Sequence, residues 1–201
     1  MKLNAKELRD VKEEDISEKV KSIKRRPLYF ILENIYDTYN IGGLFRLADA
    51  LAIEKIYLCG EMEVPPNSKI KKASIGTYKV VPWEYRKTAE EAIKELKSKF
   101  EARNTKQIQN SNFENSKLFR DSDFRFRISV IAVEQAKNSI PYTKAVYSGP
   151  MALILGNESY GVTEETLKLA DKIVEIPMWG INKSLNVIVS AAIVSYWAVN
   201  K

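Results

Sequence analysis

Three polar elbows carry the residue types that could do chemistry in this chain. The first, YDTYNIGGLFRLADA (36–50), sets Asn40 ahead of the paired Gly42-Gly43 and of Arg46. The second, LILGNESYGVTEE (153–165), holds Glu158 between Gly156 and Gly161. The third, IPMWGINKSLNV (176–187), brings Ser184 and Asn186 to the mouth of an apolar helix. Paired glycines allow close backbone approach or positive φ. An arginine on an early helical turn can grip a phosphate or carboxylate through its planar fork. A glutamate at a strand end can accept hydrogen bonds from a ligand or orient that arginine. Each residue also has a plainer role. Arg46 and Glu158 can sit in solvent, and Ser184 can simply cap the last helix. Asn186, expected inside that helix's first turn, is mildly unfavourable there and needs a reason.

Composition narrows the chemistry. The 201 residues contain no histidine and one cysteine, Cys59. Ser-His and Cys-His mechanisms are excluded, as are zinc sites built on imidazole or on several thiolates. What remains is Arg, Lys, Glu, Asp, Asn, Ser and Tyr. The formal net charge of +6 tilts toward an anionic partner such as nucleic acid. Walker-type GxxxxGK[ST] and full GxGxxG patterns are absent, which weakens nucleotide-triphosphate and dinucleotide readings. No apolar run reaches the roughly 18 residues of a membrane span. The charged N-terminal stretch has no apolar signal-peptide core, so the expected location is the cytoplasm.

The elements that must position the elbows follow from hydrophobic pattern. Residues 1–26 read as a basic helical arm, with Leu8, Val11, Ile16, Val20 and Ile23 at roughly helical spacing. Its terminal run includes Lys21, Lys24, Arg25 and Arg26, a candidate phosphate-contacting patch or a solvated face. Residues 27–201 form the main domain. Strands are predicted at 28–32, 55–60, 78–83, 128–133, 151–156 and 172–177. Helices are predicted at 41–52, 87–100 and 163–170, with Thr88 and Thr163 as caps, and after Ser184 to the end. This alternation argues an α/β fold, a mainly parallel sheet with helices on both faces. The polar stretch 102–123 breaks the rhythm and reads as a long mobile loop, either an inert insertion or a substrate-gripping loop whose Arg103, Lys106, Lys117 and Arg120 could meet phosphates.

In order, the motifs N-x-G-x-x-x-R, G-x-E-x-x-G and I-P-M-x-G-x-x-x-S-L-N-V resemble those of SpoU-type (TrmH-like) RNA ribose 2′-O-methyltransferases of the SPOUT superfamily. The likeness spans about residues 27–199. It implies a deep C-terminal trefoil knot, in which the final segment is threaded through a preceding loop and the last helix is buried. It also implies S-adenosylmethionine as cofactor, held around Leu155, Gly156, Ile176, Met178 and Leu185. By the same resemblance Arg46 serves as base near the RNA phosphate, with Asn40, Glu158, Ser184 and Asn186 positioning it, the ribose or the cofactor. A guanidinium is strongly basic and loses a proton reluctantly. Stabilisation of the developing alkoxide is therefore an equally open role for Arg46. No metal is required.

The family implies a homodimer, and Tyr196, Trp197 and Val199 would suit an interface or an intrachain core. Two positions depart from the family pattern: Ile188 replaces a small polar residue, and Trp197 stands where an acidic one is frequent. The expected function is methylation of a ribose 2′-OH in tRNA or rRNA. With only the arm and loops for docking, tRNA is slightly favoured. The alternatives are a knotted RNA-binding protein without catalysis and a SPOUT enzyme acting on a base nitrogen.

Overall fold

The computed structural model describes residues 2–110 and 127–201. Seven strands form one sheet: β1 (Arg26–Glu33), β2 (Ile53–Cys59), β3 (Trp83–Arg86), β4 (Ser129–Val133), β5 (Ile140–Pro141), β6 (Met151–Leu155) and β7 (Lys172–Glu175). Their order is β3-β2-β1-β6-β4-β7-β5, and every pairing is parallel. In β1 the period-two alternation of strand side chains divides the core. Leu28, Phe30 and Leu32 enter one apolar cluster, while Tyr29 and Ile31 enter the other. Both faces are therefore covered, as the near-continuous apolar strands require.

The helices are α1 (Ala5–Asp10), α2 (Glu13–Ser22), α3 (Thr38–Ala50), α4 (Ser68–Ser74), α5 (Ala89–Asn110), α6 (Glu164–Leu167) and α7 (Val187–Val199). One cluster gathers residues of α1 to α4 and α7, whereas α5 lies over the other with Ala92, Ile93, Leu96 and Phe100. Thr88 caps α5 by accepting from the Glu91 amide, and Thr163 caps α6 by accepting from the Thr166 amide.

The structure departs from the sequence reading in several elements. Residues 77–79 form a 3₁₀ turn and the third strand begins only at Trp83. Gly76, at φ 90°, turns the chain there. α3 starts at Thr38, three residues earlier than expected, because Asp37 caps it through the Tyr39 amide. α7 is capped by Asn186 and not by Ser184. Helix α5 continues through residues 102–110, the first part of the supposed loop. Positions 111–126, including Lys117 and Arg120, lie outside the described residues.

The arm is docked. Leu8 and Ile16 are buried, and the Lys79 ammonium donates to the carbonyls of Arg9 and Val11. Arg25 holds the carbonyls of Ile53 and Val80 at 3.0 and 2.6 Å. Burial lowers its pKa, against the raising influence of Glu54 and Asp49. Arg25 is thus a half-buried clasp and not an exposed phosphate hand. Lys21, Lys24 and Arg26 are exposed. They stand at the amino end of β1, which at about 3.3 Å per residue is roughly 23 Å from its carboxyl end.

Candidate active site

The three elbows meet beyond the carboxyl ends of β1, β6 and β7, where open parallel sheets place their ligands. Asn40, buried on the first turn of α3, donates through Nδ2 to Glu158 Oε1 at 2.9 Å. Its Oδ1 accepts from Asn186 Nδ2, also at 2.9 Å. Asn186 in turn uses Oδ1 to accept from the Ile188 amide, capping α7. That dual duty is the reason an asparagine stands there. One polar chain, Asn186–Asn40–Glu158, thus joins all three elbows.

Glu158 also accepts from the amides of Tyr36 and Asp37, each at 3.2 Å. Burial acts to raise its pKa. Hydrogen bonds from Asn40, its own amide, Tyr36 and Asp37 overcome this and leave it below the ordinary carboxylate range. The group is ionised at neutral pH and is an acceptor only.

Residues not singled out from sequence complete the frame. Asn157 donates to the Asn34 carbonyl at 2.7 Å and accepts from the amides of Ser159 and Tyr160. Glu134 accepts from the amides of Val162 and Gln135. Gln135 donates from Nε2 to the Lys183 carbonyl at 2.7 Å, tying the end of β4 to the third elbow. Glu33, buried at the end of β1, accepts from the Thr163 amide and from the hydroxyls of Thr163 and Thr166. Asn and Glu at strand ends were the available signal, but many such residues are merely solvated.

The second and third elbows, with the end of β4, enclose a cleft of about 600 Å³, within the usual range for a small-molecule site. All five expected cofactor residues, Leu155, Gly156, Ile176, Met178 and Leu185, line it, as do Glu158, Ser184 and Asn186. The glycine at 156 is obligatory: a Cβ there would stand 2.2 Å from the Gly161 carbonyl carbon. Ser184 is exposed, and its hydroxyl has no partner among the described residues. Three carboxylates (Glu134, Glu158, Glu175) and one ammonium (Lys183) line the cleft, so its charge favours a cation. Among the described residues no group of His, Cys, Asp or Glu could hold a metal ion.

Arg46 is not brought to this cleft. Six residues beyond Asn40, at about 100° per residue, it points roughly 120° away around α3. It is exposed and without a partner among the described residues. Glu158 therefore holds Asn40 and two amides, and does not orient Arg46. α3 nonetheless approaches α7 closely, since a Cβ on Gly43 would stand 2.3 Å from Ile188 Cδ1.

A sequence model of the SpoU rRNA Methylase family matches residues 27–196. The chain belongs to that family. It is 28% identical over 176 residues to a tRNA (guanosine(18)-2′-O)-methyltransferase of Thermus thermophilus, covering 87% of this chain and 76% of that protein. The namesake from Escherichia coli K12 is 25% identical over 179 residues, with coverage of 87% and 64%. The chain thus spans less than two thirds of the latter's length. Among solved structures, the Aquifex aeolicus TrmH/SpoU tRNA modifying enzyme shares the fold at TM-score 0.68 and 23% identity, covering 94% of this chain and 83% of that one. An AdoMet-bound rRNA methyltransferase from Sinorhizobium meliloti does so at TM-score 0.65 and 23% identity, with coverage of 96% and 59%.

Proposed function

We propose that this SpoU-family chain transfers a methyl group from S-adenosylmethionine to a ribose 2′-OH of tRNA or rRNA. The observation that carries the reading is the Asn186–Asn40–Glu158 chain, which ties the first family motif to the second and third, whose residues line a cleft of suitable size. Similar proteins are named for tRNA and for 23S rRNA 2′-O-methylation.

The cleft suits this cofactor. Leu155, Ile176, Met178 and Leu185 offer apolar surface for an adenine, and the acidic lining favours a sulfonium cation. When bound, the cofactor would supply an electrophilic methyl group. The protein's part is alignment of the hydroxyl for in-line attack and stabilisation of charge on its oxygen. Glu158 already accepts three hydrogen bonds from neighbouring residues and is a weak base; it holds the elbows in register. Ser184 has a free hydroxyl for ribose or cofactor. Arg46, always charged, stabilises the developing 2′-oxyanion and an adjacent phosphate.

Arg46 reaches such a ribose from a second copy of the chain. α7 is almost wholly apolar, yet Val189 and Tyr196 are exposed on it. A homodimer packed through α7 and α3 would bury that face and carry Arg46 toward the partner's cleft. The deep trefoil knot of the family accounts for the close passage of the third elbow beside Gln135.

The test is transfer of labelled methyl from S-adenosylmethionine into unmodified tRNA and rRNA transcripts. Incorporation abolished by Arg46→Ala supports the reading. Cofactor binding without incorporation into any transcript leaves a binding protein.

A further inference from the structure

Exposed aromatic rings gather on the elbows that build the cleft. Tyr36 is 55% exposed, Tyr39 54%, Tyr160 86% and Trp179 91%. Large rings left in water mark a surface awaiting a partner more often than isolated small apolar groups do. The backbones beneath two of them are fixed to the site itself. Tyr36 donates its amide to Glu158 Oε2. Tyr160 follows Glu158 by two residues, donates its amide to Asn157 Oδ1, and lines the cleft. Among the described residues neither tyrosine has a ring or hydrogen-bond partner for its side chain.

We propose that Tyr36 and Tyr160 are stacking platforms for unpaired nucleobases beside the ribose being methylated. The proposal rests on the RNA reading above and names residues that would seat the substrate. A protein-docking patch has a contiguous apolar centre depleted of charge. Here the rings alternate with ionised Glu158, with Asp37 and with the Asn40 amide. A single-stranded nucleotide has the matching pattern, an apolar base face next to a polar sugar and phosphate. Single-stranded RNA is characteristically held by such rings. Stacking tolerates every base, so these tyrosines supply affinity and placement, not base identity.

The experiment uses the full chain, S-adenosylhomocysteine and a single-stranded RNA of about 12 nucleotides, within the span such surfaces cover. The RNA carries 2-aminopurine, whose fluorescence falls on stacking. Wild-type protein should quench it. Tyr36→Phe and Tyr160→Phe keep affinity and quenching, because the ring face is retained. Each alanine variant weakens binding about tenfold and reduces quenching, with unchanged thermal melting. Alanine variants that bind and quench like wild type would overturn the proposal. So would a pair that alters sedimenting mass but not RNA affinity, since the rings would then be covered by a second copy. Methyl incorporation is read in parallel. Quenching without transfer would sink the catalytic reading alone, and transfer unaltered in the alanine pair would sink the stacking proposal alone.

Discussion

Asn40 Nδ2 lies 2.9 Å from Glu158 Oε1, closing a separation of 118 residues with one hydrogen bond to a carboxylate. Because Asn40 also accepts from Asn186, its amide is the common member of the site's polar chain. Asn40→Ala strands both partners, a loss of about 1–3 kcal/mol in stability. Turnover should fall by about 100-fold or more through misplaced loops. Asn40→Asp should be worse, setting a second carboxylate beside Glu158. Denaturant unfolding and single-turnover transfer, run side by side, check both.

The low pKa of Glu158 sets a pH dependence. A carboxyl whose folded pKa lies below its unfolded value, about 4.3, stabilises the fold fully above that value. The contribution is lost as pH falls through the folded pKa. Stability should therefore be insensitive to Glu158 between about pH 6 and 8 and decline in acid. Glu158→Gln should flatten that acid limb in melting curves. An identical acid slope in wild type and variant would remove Glu158 as its source.

Arg46→Ala should abolish transfer while S-adenosylmethionine affinity, read by calorimetry, stays within about twofold. Lysine should rescue little, because a point charge does not replace the planar fork. A mixture of Arg46→Ala with a cleft-inactive Asn186→Ala protein should regain activity if the arginine acts across a dimer. No regain at any mixing ratio would place its action within one chain.

The glycines of α3 differ in what they face. A Cβ on Gly42 would stand 2.4 Å from Ala73 Cβ and 2.8 Å from the Ser74 nitrogen, neither of which can swing aside. A Cβ on Gly43 meets only the tip of Ile188. Gly42→Ala should cost about 1–3 kcal/mol. Gly43→Ala should be near neutral, as Ile188 rotates and alanine gains about 1 kcal/mol of helix propensity. Chemical denaturation of the two variants decides the order.

Arg25→Ala should destabilise by about 1–3 kcal/mol, since it orphans two carbonyls, whereas Lys21→Ala and Lys24→Ala should change stability by less than about 0.5 kcal/mol. Filter binding of RNA by the two lysine variants then tells whether the exposed part of the arm contacts phosphates. An unchanged salt slope makes the arm structural.

Much of this was legible in local pattern. Continuous apolar runs such as LYFIL marked the parallel strands, and Thr88 and Thr163 marked their helices through ordinary caps. Leu155, Gly156, Glu158, Ser184 and Asn186, from the second and third motifs, line one cleft. The cap of α7 was misplaced by two residues because Ser184 and Asn186 are both good caps, and only the bond to Asn40 selects the second. The clasp by Arg25 was illegible, because its acceptors are backbone carbonyls 28 and 55 residues away. The six-residue spacing gives the roughly 120° between Asn40 and Arg46, but that Asn40 is the one turned to the polar chain follows only from its bonds to Glu158 and Asn186.

The most direct measurement is nucleoside mass spectrometry of tRNA and rRNA transcripts incubated with the protein and labelled S-adenosylmethionine. The expected product is a single 2′-O-methylnucleoside whose label stays on the ribose after base release. A label that leaves with the base would keep the cleft and contradict the reaction assigned to it.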